Sequence, residues 1–149
     1  MLTADTRLGA FSIEETNGTI TALHWRAAKA DEETPLLVEA RRQLCAYADG
    51  ELTEFDLPRA PEGGPLQQAV LAEMRAIPFG ETKTYGEIAK AVGAPAQAAG
   101  QACGANTIPV IIPCHRVTGT GGLGGFSGMG GVETKVALLR HEGAYSLLI

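Results

Sequence analysis

Cys114 and His115 stand side by side near the end of the run Ile108–Val117, Ile-Pro-Val-Ile-Ile-Pro-Cys-His-Arg-Val. A thiol attacks only as thiolate, and an adjacent imidazole is a natural base to take its proton. Pro113 fixes its own φ and lacks an N–H, so it sets the direction of the chain just before the sulfur. The run has the length and β-branched character of a buried strand or buried extended segment. Such a mount gives a nucleophile little freedom to turn away from a substrate. An isolated Cys-His pair is more often a packed thiol beside a chance histidine, so the surrounding residues decide.

The elements that must position this pair follow from the chain's patterning. Arg7–Ile13 and Thr19–Trp25 alternate like strands, and Asn17-Gly18 between them is a hairpin signal because a type I′ turn needs positive φ. Thr34 caps a predicted helix that has Pro35 at its first position, Leu37, Ala40, Leu44 and Tyr47 on one face, and Asp49-Gly50 at its end. A short strand is expected near Phe55–Leu57. Pro58, Pro61, Gly63, Gly64 and Pro65 then form a linker, dividing the chain into 1–62 and 63–149.

Beyond the linker, Leu66, Val70, Met74 and Ile77 recur at helical spacing until Pro78 and Gly80. Thr84 caps a second helix to about Val92, Gly93-Ala94 makes a turn, and Pro95 opens a third helix to about Gly104. Helix, short turn and helix is the spacing of a helix-turn-helix, although an ordinary αα-corner shares it. Eight glycines crowd Thr118–Gly131, with Leu123, Phe126 and Met129 as its large side chains. Backbone there can approach a flat ligand closely. A last helix, about Val132–Glu142, carries Val132, Val136 and Leu139 on one face and stops at Gly143. The tail Tyr145–Ile149 is apolar and is expected to dock on the core. The predicted class is α+β: a small antiparallel β-sheet lobe with a helix, then a mostly helical domain containing the helix-turn-helix.

Composition narrows the function. The 149 residues are 45% hydrophobic and 19% charged, with no membrane-length apolar stretch and neither a basic region nor an apolar signal core at the N-terminus. Three cysteines without metal-type spacing suit a reducing cytoplasm. The net charge of −5 is uneven: residues 1–62 carry twelve acids and six bases, residues 63–149 five acids and six bases. A polyanion partner would meet the second part, yet Ala91 to His115 holds no Lys, Arg, Asp or Glu, so composition argues mildly against nucleic acid.

At Pro113-Cys114-His115-Arg116-Val117 the sequence resembles the O6-alkylguanine-DNA alkyltransferases. Ile77-Pro78-Phe79-Gly80-Glu81-Thr82, Tyr85, Ile88-Ala89, Asn106, Gly124-Gly125-Phe126-Ser127-Gly128 and Lys135…Leu138-Leu139…Glu142-Gly143 fall in the family's order. The resemblance covers roughly 65–143. It implies transfer of an alkyl group from guanine O6 to Cys114, with His115 as base through a water and Glu142 orienting that histidine. Asn106 matches the residue bracing the active-site turn, and Tyr85 the donor to the leaving guanine. Val117, Phe126, Ser127 and Gly128 would line the base pocket. Thr84, Gln97, Ala98, Gln101 and Arg116 would meet DNA. The target atom lies inside the duplex, so its nucleotide must be flipped out. Each molecule would act once, as a monomer on double-stranded DNA, without cofactor. Some relatives hold zinc in the N-terminal lobe, but Cys45 and His24 make no four-ligand set, so no metal is expected. His24 and His141 receive no role.

Gln97 stands where the family places an arginine that fills the gap left by the flipped nucleotide. Glutamine can occupy that gap and hydrogen-bond the orphaned base, but without charge. Duplex binding is expected to be weak. Two further readings stay open: a reactive cysteine with another alkylated nucleobase or an unpaired strand as substrate, and a non-catalytic lesion binder.

Overall fold

A computed structural model describes residues 1–61, 63–119 and 132–144. The chain divides into two compact units, Met1–Pro61 and Glu62–Ile149.

In the first unit β1 (Leu2–Thr6), β2 (Gly9–Thr16) and β3 (Thr19–His24) form an antiparallel sheet in chain order. Asn17 and Gly18 have φ of 52° and 77°, the positive pair that the hairpin signal demands. Leu2 faces Ile13, Ala4 faces Phe11 and Ile13 faces Leu23, so one side of the pleat is apolar. That side packs on α1 (Pro35–Ala48), which buries Leu37, Ala40, Leu44 and Tyr47. Thr34 caps the helix by accepting the Leu37 N–H. Each large apolar side chain buried here contributes about 1.5–3 kcal/mol.

Two expectations for this unit change. The N-terminal residues form a strand, β1, that the sequence reading left unassigned, and Phe55–Leu57 forms none. Phe55 and Leu57 are buried, but the ladder contact is made two residues later. Ile20 N–H donates to Pro58 O at 2.8 Å, and Ala60 N–H to Ile20 O at 3.0 Å.

The second unit contains α2 (Pro65–Arg75), β4 (Lys83–Thr84), α3 (Tyr85–Val92), α4 (Ala96–Gly104), β5 (Val117–Thr118) and α5 (Val132–His141). Thr84 and Glu87 close a capping box at the start of α3, and Gly93 ends it with φ of 71°. Residues 93–95 turn the chain into α4, which packs against α3 and α2. β4 and β5 pair in parallel, Lys83 with Val117 and Thr84 with Thr118. This pairing puts the first residue of α3, Tyr85, next to the chain leaving Cys114.

The run Ile108–Val117 is buried throughout, as expected, but it is not an extended strand. Val110 has φ of 71° and is spanned by Ile111 N–H to Pro109 O at 2.9 Å. A β-branched residue rarely adopts that conformation, and only surrounding packing holds it there. Pro113, at φ −80° and ψ 69°, centres an inverse γ-turn closed by Cys114 N–H to Ile112 O at 2.8 Å. Cys114–Arg116 then forms a single 3-10 turn.

The inward face of α5 also differs from the apolar stripe expected. Thr134, Lys135, Leu138 and Leu139 are buried, whereas Val136 is half-buried. In α2, Val70, Leu71 and Met74 turn inward and Leu66 stays exposed. The expected pocket residues Phe126, Ser127 and Gly128, and the tail Tyr145–Ile149, lie outside the described residues.

Candidate active site

The site begins where α4 ends. Asn106 donates from Nδ2 to Ile112 O at 2.9 Å and accepts the Ile108 N–H on Oδ1 at 3.0 Å. One short side chain thus binds both ends of the coil that carries Cys114, restraining the thiol's mount. Cys114 is buried, which pushes its thiol up to about 11, with Asn106 and Lys135 pulling partly the other way. At rest the sulfur is therefore a neutral thiol, and attack requires a base.

His115 is fully buried, with Nε2 at 2.6 Å from Glu142 Oε2. Burial pushes the imidazole below its ordinary value, Glu142 opposes, and Arg116 and Lys135 add to the fall. For Glu142, burial favours the neutral acid, but His115 and Arg116 outweigh it and hold the carboxyl far below the usual range. A carboxylate has no proton to give, so Nε2–H is the donor in this pair. Nδ1 is then left as a lone-pair acceptor, buried and without a hydrogen-bond partner among the described residues. That is the tautomer a general base needs.

Arg116 holds the arrangement from behind. Its Nε donates to Glu142 Oε1 at 2.8 Å and Nη2 to Oε2 at 3.0 Å, while Nη1 donates to Ile77 O at 2.7 Å. The Phe79 ring lies 5.9 Å from the guanidinium, and Gly80 N–H reaches Glu142 Oε1 at 3.4 Å. A Cβ on Gly80 would come within 3.2 Å of Glu142 O, and its φ is 84°, so a glycine suits the position. The Arg116 side chain, expected to meet DNA, is buried, and each of its three nitrogens donates to Glu142 or Ile77.

Tyr85 on α3 and Lys135 on α5 both feel the charge of the Cys114 sulfur. Lys135 is fully buried, donates to Val117 O at 2.6 Å and lies 5.5 Å from the Tyr85 ring. Burial lowers its ammonium to about 8. Burial, with both nearby thiols adding, raises the Tyr85 phenol to about 12, so it stays a proton donor. The sequence reading gave Lys135 no role. The available signal was a lysine in register with Leu138 and Glu142 on one helix face, which apolar periodicity overlooks.

Of the remaining expected residues, Gln97 and Gln101 are exposed on α4 and Ala98 is half-buried. Thr84 is half-buried and engaged in capping Glu87. Val117 is buried, its carbonyl shared with Lys135. His24 pairs with Glu14 at 2.8 Å, His141 meets the Phe79 ring edge-on, and Cys45 is half-buried on α1. Among the described residues no cluster of three or more His, Cys, Asp or Glu could hold a metal, and no helix is long and apolar enough to cross a membrane.

A small domain with a buried thiol, a buried His-Glu pair that starts at the next residue, and two packed helices is the class that fold and site define. Residues 65–144 match the family described as 6-O-methylguanine DNA methyltransferase, DNA binding domain. A methylated-DNA–protein-cysteine methyltransferase of Methanosarcina acetivorans is 49% identical over 109 residues, 71% of this chain and 69% of that protein. The constitutive one of Bacillus subtilis is 40% identical over an alignment of 154 positions, covering 94% of this chain and 93% of that protein. Crystal structures of the Mycobacterium tuberculosis O6-methylguanine methyltransferase, alone and in complex with DNA, superpose with a TM-score of 0.80 at 39% and 37% identity, covering 96% of this chain and 92% of theirs. The chain belongs to the 6-O-methylguanine DNA methyltransferase family.

Proposed function

We propose that this protein repairs DNA by moving an alkyl group from guanine O6 to the sulfur of its own Cys114, once per molecule. The observation that carries this reading is the buried pair next to the thiol in sequence, in which Glu142 fixes the proton on Nε2 of His115 and leaves Nδ1 as acceptor.

The chemistry follows from those positions. His115 takes the thiol proton, directly or through a water, and the thiolate attacks the alkyl carbon. The S–C bond forms as the C–O6 bond breaks, and the electron pair returns to the guanine ring. Tyr85, kept protonated, gives a hydrogen bond or proton to that ring. Lys135 supplies positive charge beside the developing thiolate. Arg116 acts through Glu142 and is a positioning residue. The product thioether has no good leaving group, so the acceptor is consumed.

Residues 63–149 form the transferase domain in this reading, and 1–62 a separate lobe. α3 and α4 serve as the helix-turn-helix, with Gln97, Ala98 and Gln101 presented to DNA. Gln97 enters the stack in place of a flipped nucleotide. The acceptor must stay a free thiol, which suits the reducing cytoplasm.

A duplex oligonucleotide with one O6-methylguanine tests the function. Each molecule of protein should remove one methyl group and then stop, and Cys114→Ala should remove none. Turnover beyond one equivalent, or removal by Cys114→Ala, would refute the reading. The exposed, neutral Gln97 favours one alternative, an unpaired strand as the preferred substrate. Faster removal from the single strand than from the duplex would establish it.

A further inference from the structure

The six bases of residues 1–62 lie among twelve acids, so a partner is close at hand for each. Four are engaged. Arg7 pairs with Asp49 at 2.9 Å, Arg41 with Glu33 at 3.6 Å and Arg42 with Glu39 at 2.6 Å, and Arg59 donates to Phe55 O at 3.4 Å. Arg26 and Lys29 are the exceptions: among the described residues neither makes a hydrogen bond or an ion pair. Both line one cavity of about 690 Å³, together with Met1, Ala27, Ala28 and Ala30.

The loop that carries these cations is tied down along β1. Ala28 N–H donates to Thr3 Oγ1 at 2.9 Å, and Asp31 accepts from the Thr3 N–H and hydroxyl at 2.9 and 2.8 Å. Glu32 takes the terminal ammonium of Met1 at 2.7 Å and donates its own N–H to Met1 O at 2.9 Å. The same bonds spend the acids that follow in the chain, Asp31 on Thr3 and Glu32 on Met1, while Glu33 pairs with Arg41. No acid lines the cavity. Its charge is therefore positive inside an acidic lobe, and its remaining wall is apolar.

We propose that this cavity binds a phosphate monoester carried on a compact organic body, in the size range of a nucleoside monophosphate. A guanidinium and an ammonium together match the charge of about −1.5 to −2 on such a phosphate at pH 7 better than the single charge of a carboxylate. The Arg26 fork suits two phosphate oxygens, and Lys29 adds a point charge. Inorganic phosphate alone would leave most of the space empty, since the volume falls in the range of about 300–1,000 Å³ usual for small-molecule sites. The alanines and Met1 offer the organic part an apolar wall. Such a phosphate comes free in solution or at the end of a nucleic-acid strand, with the same chemistry at the cavity. The proposal does not rest on alkyl transfer, because Arg26 and Lys29 belong to the first unit and Cys114 to the second.

The isotope-labelled full-length protein is titrated with deoxyadenosine monophosphate, and the backbone amide signals of Ala27, Ala28, Lys29 and Ala30 are followed by NMR. Those signals should shift and saturate. Deoxyadenosine should move them far less, and inorganic phosphate should bind more weakly than the nucleotide. Arg26→Gln combined with Lys29→Gln should weaken binding by about tenfold or more. Both side chains are exposed, so the variant should keep its amide signals elsewhere unchanged. An oligonucleotide with a terminal phosphate separates the two sources. Shifts of the same amides at lower concentration than the mononucleotide assign a strand end, and shifts only at equal or higher concentration assign a free ligand. No shift in this loop at millimolar nucleotide would overturn the proposal. So would equal shifts by deoxyadenosine, equal affinity for inorganic phosphate, or equal affinity in the double variant.

Discussion

Arg116 determines how well Glu142 serves His115. Both carboxylate oxygens are engaged by its guanidinium, and that pairing keeps a buried acid ionised. Arg116→Met removes the guanidinium from a buried carboxylate and should reduce unfolding free energy by about 3–5 kcal/mol, read by denaturant titration. Arg116→Lys should recover little, because an ammonium cannot form the bidentate pair. Loss below 1 kcal/mol in Arg116→Met would contradict the network. His115 adds a pH dependence of definite sign. Its folded value is lowered, so the unfolded chain takes up a proton near pH 6.5 that the folded chain refuses. Stability is full above that pH and falls as the pH drops below it. Glu142, also lowered in the fold, extends the loss through and below the ordinary carboxyl range. Thermal unfolding should show a lower Tm at pH 5 than at pH 7.5, with a smaller difference in His115→Asn. An equal difference in both proteins would remove His115 as the cause.

At the scale of elements, the start of α3 matters most, because the cap and the site coincide there. Thr84→Ala removes the bond to the Glu87 N–H and should lower stability by about 1 kcal/mol. Since Tyr85 follows the cap directly, methyl transfer should also slow. Stability loss with an unchanged single-turnover rate would separate Tyr85 from its cap. The caps at Thr34 and Thr84 and the hairpin at Asn17-Gly18 were legible because local chemistry specifies them. The parallel pairing of β4 with β5 was not, since two-residue strands far apart in sequence leave no local pattern. The coil at Val110 misled for the opposite reason: its composition reads as strand, while tertiary packing imposes positive φ on a valine. Lys135 on α5 and Glu142 just past its end are buried, so hydrophobic periodicity pointed to a neighbouring face. Cys114 and His115 stood out by residue type and adjacency, and Glu142, Asn106 and Tyr85 were named through a family resemblance, whereas the inward turn of Arg116 and the place of Lys135 needed coordinates.

For the whole molecule, charge is the quantity that separates affinity from chemistry. The chain carries −5 and α4 has no charged side chain, so few phosphates are neutralised on binding. The slope of log affinity against log salt should be shallow, and Gln97→Arg should tighten duplex binding and steepen that slope by up to about one phosphate contact. Unchanged affinity and slope across a salt series would remove Gln97 from the interface. None of this alters the demand on the sulfur. The most direct measurement is the mass of the tryptic peptide Ala91–Arg116 after incubation with O6-methylguanine duplex. One methyl group located by fragmentation on Cys114, and none on Cys103, is the predicted result. An unmodified peptide after the lesion has been removed, or a methyl group on another residue, would contradict it.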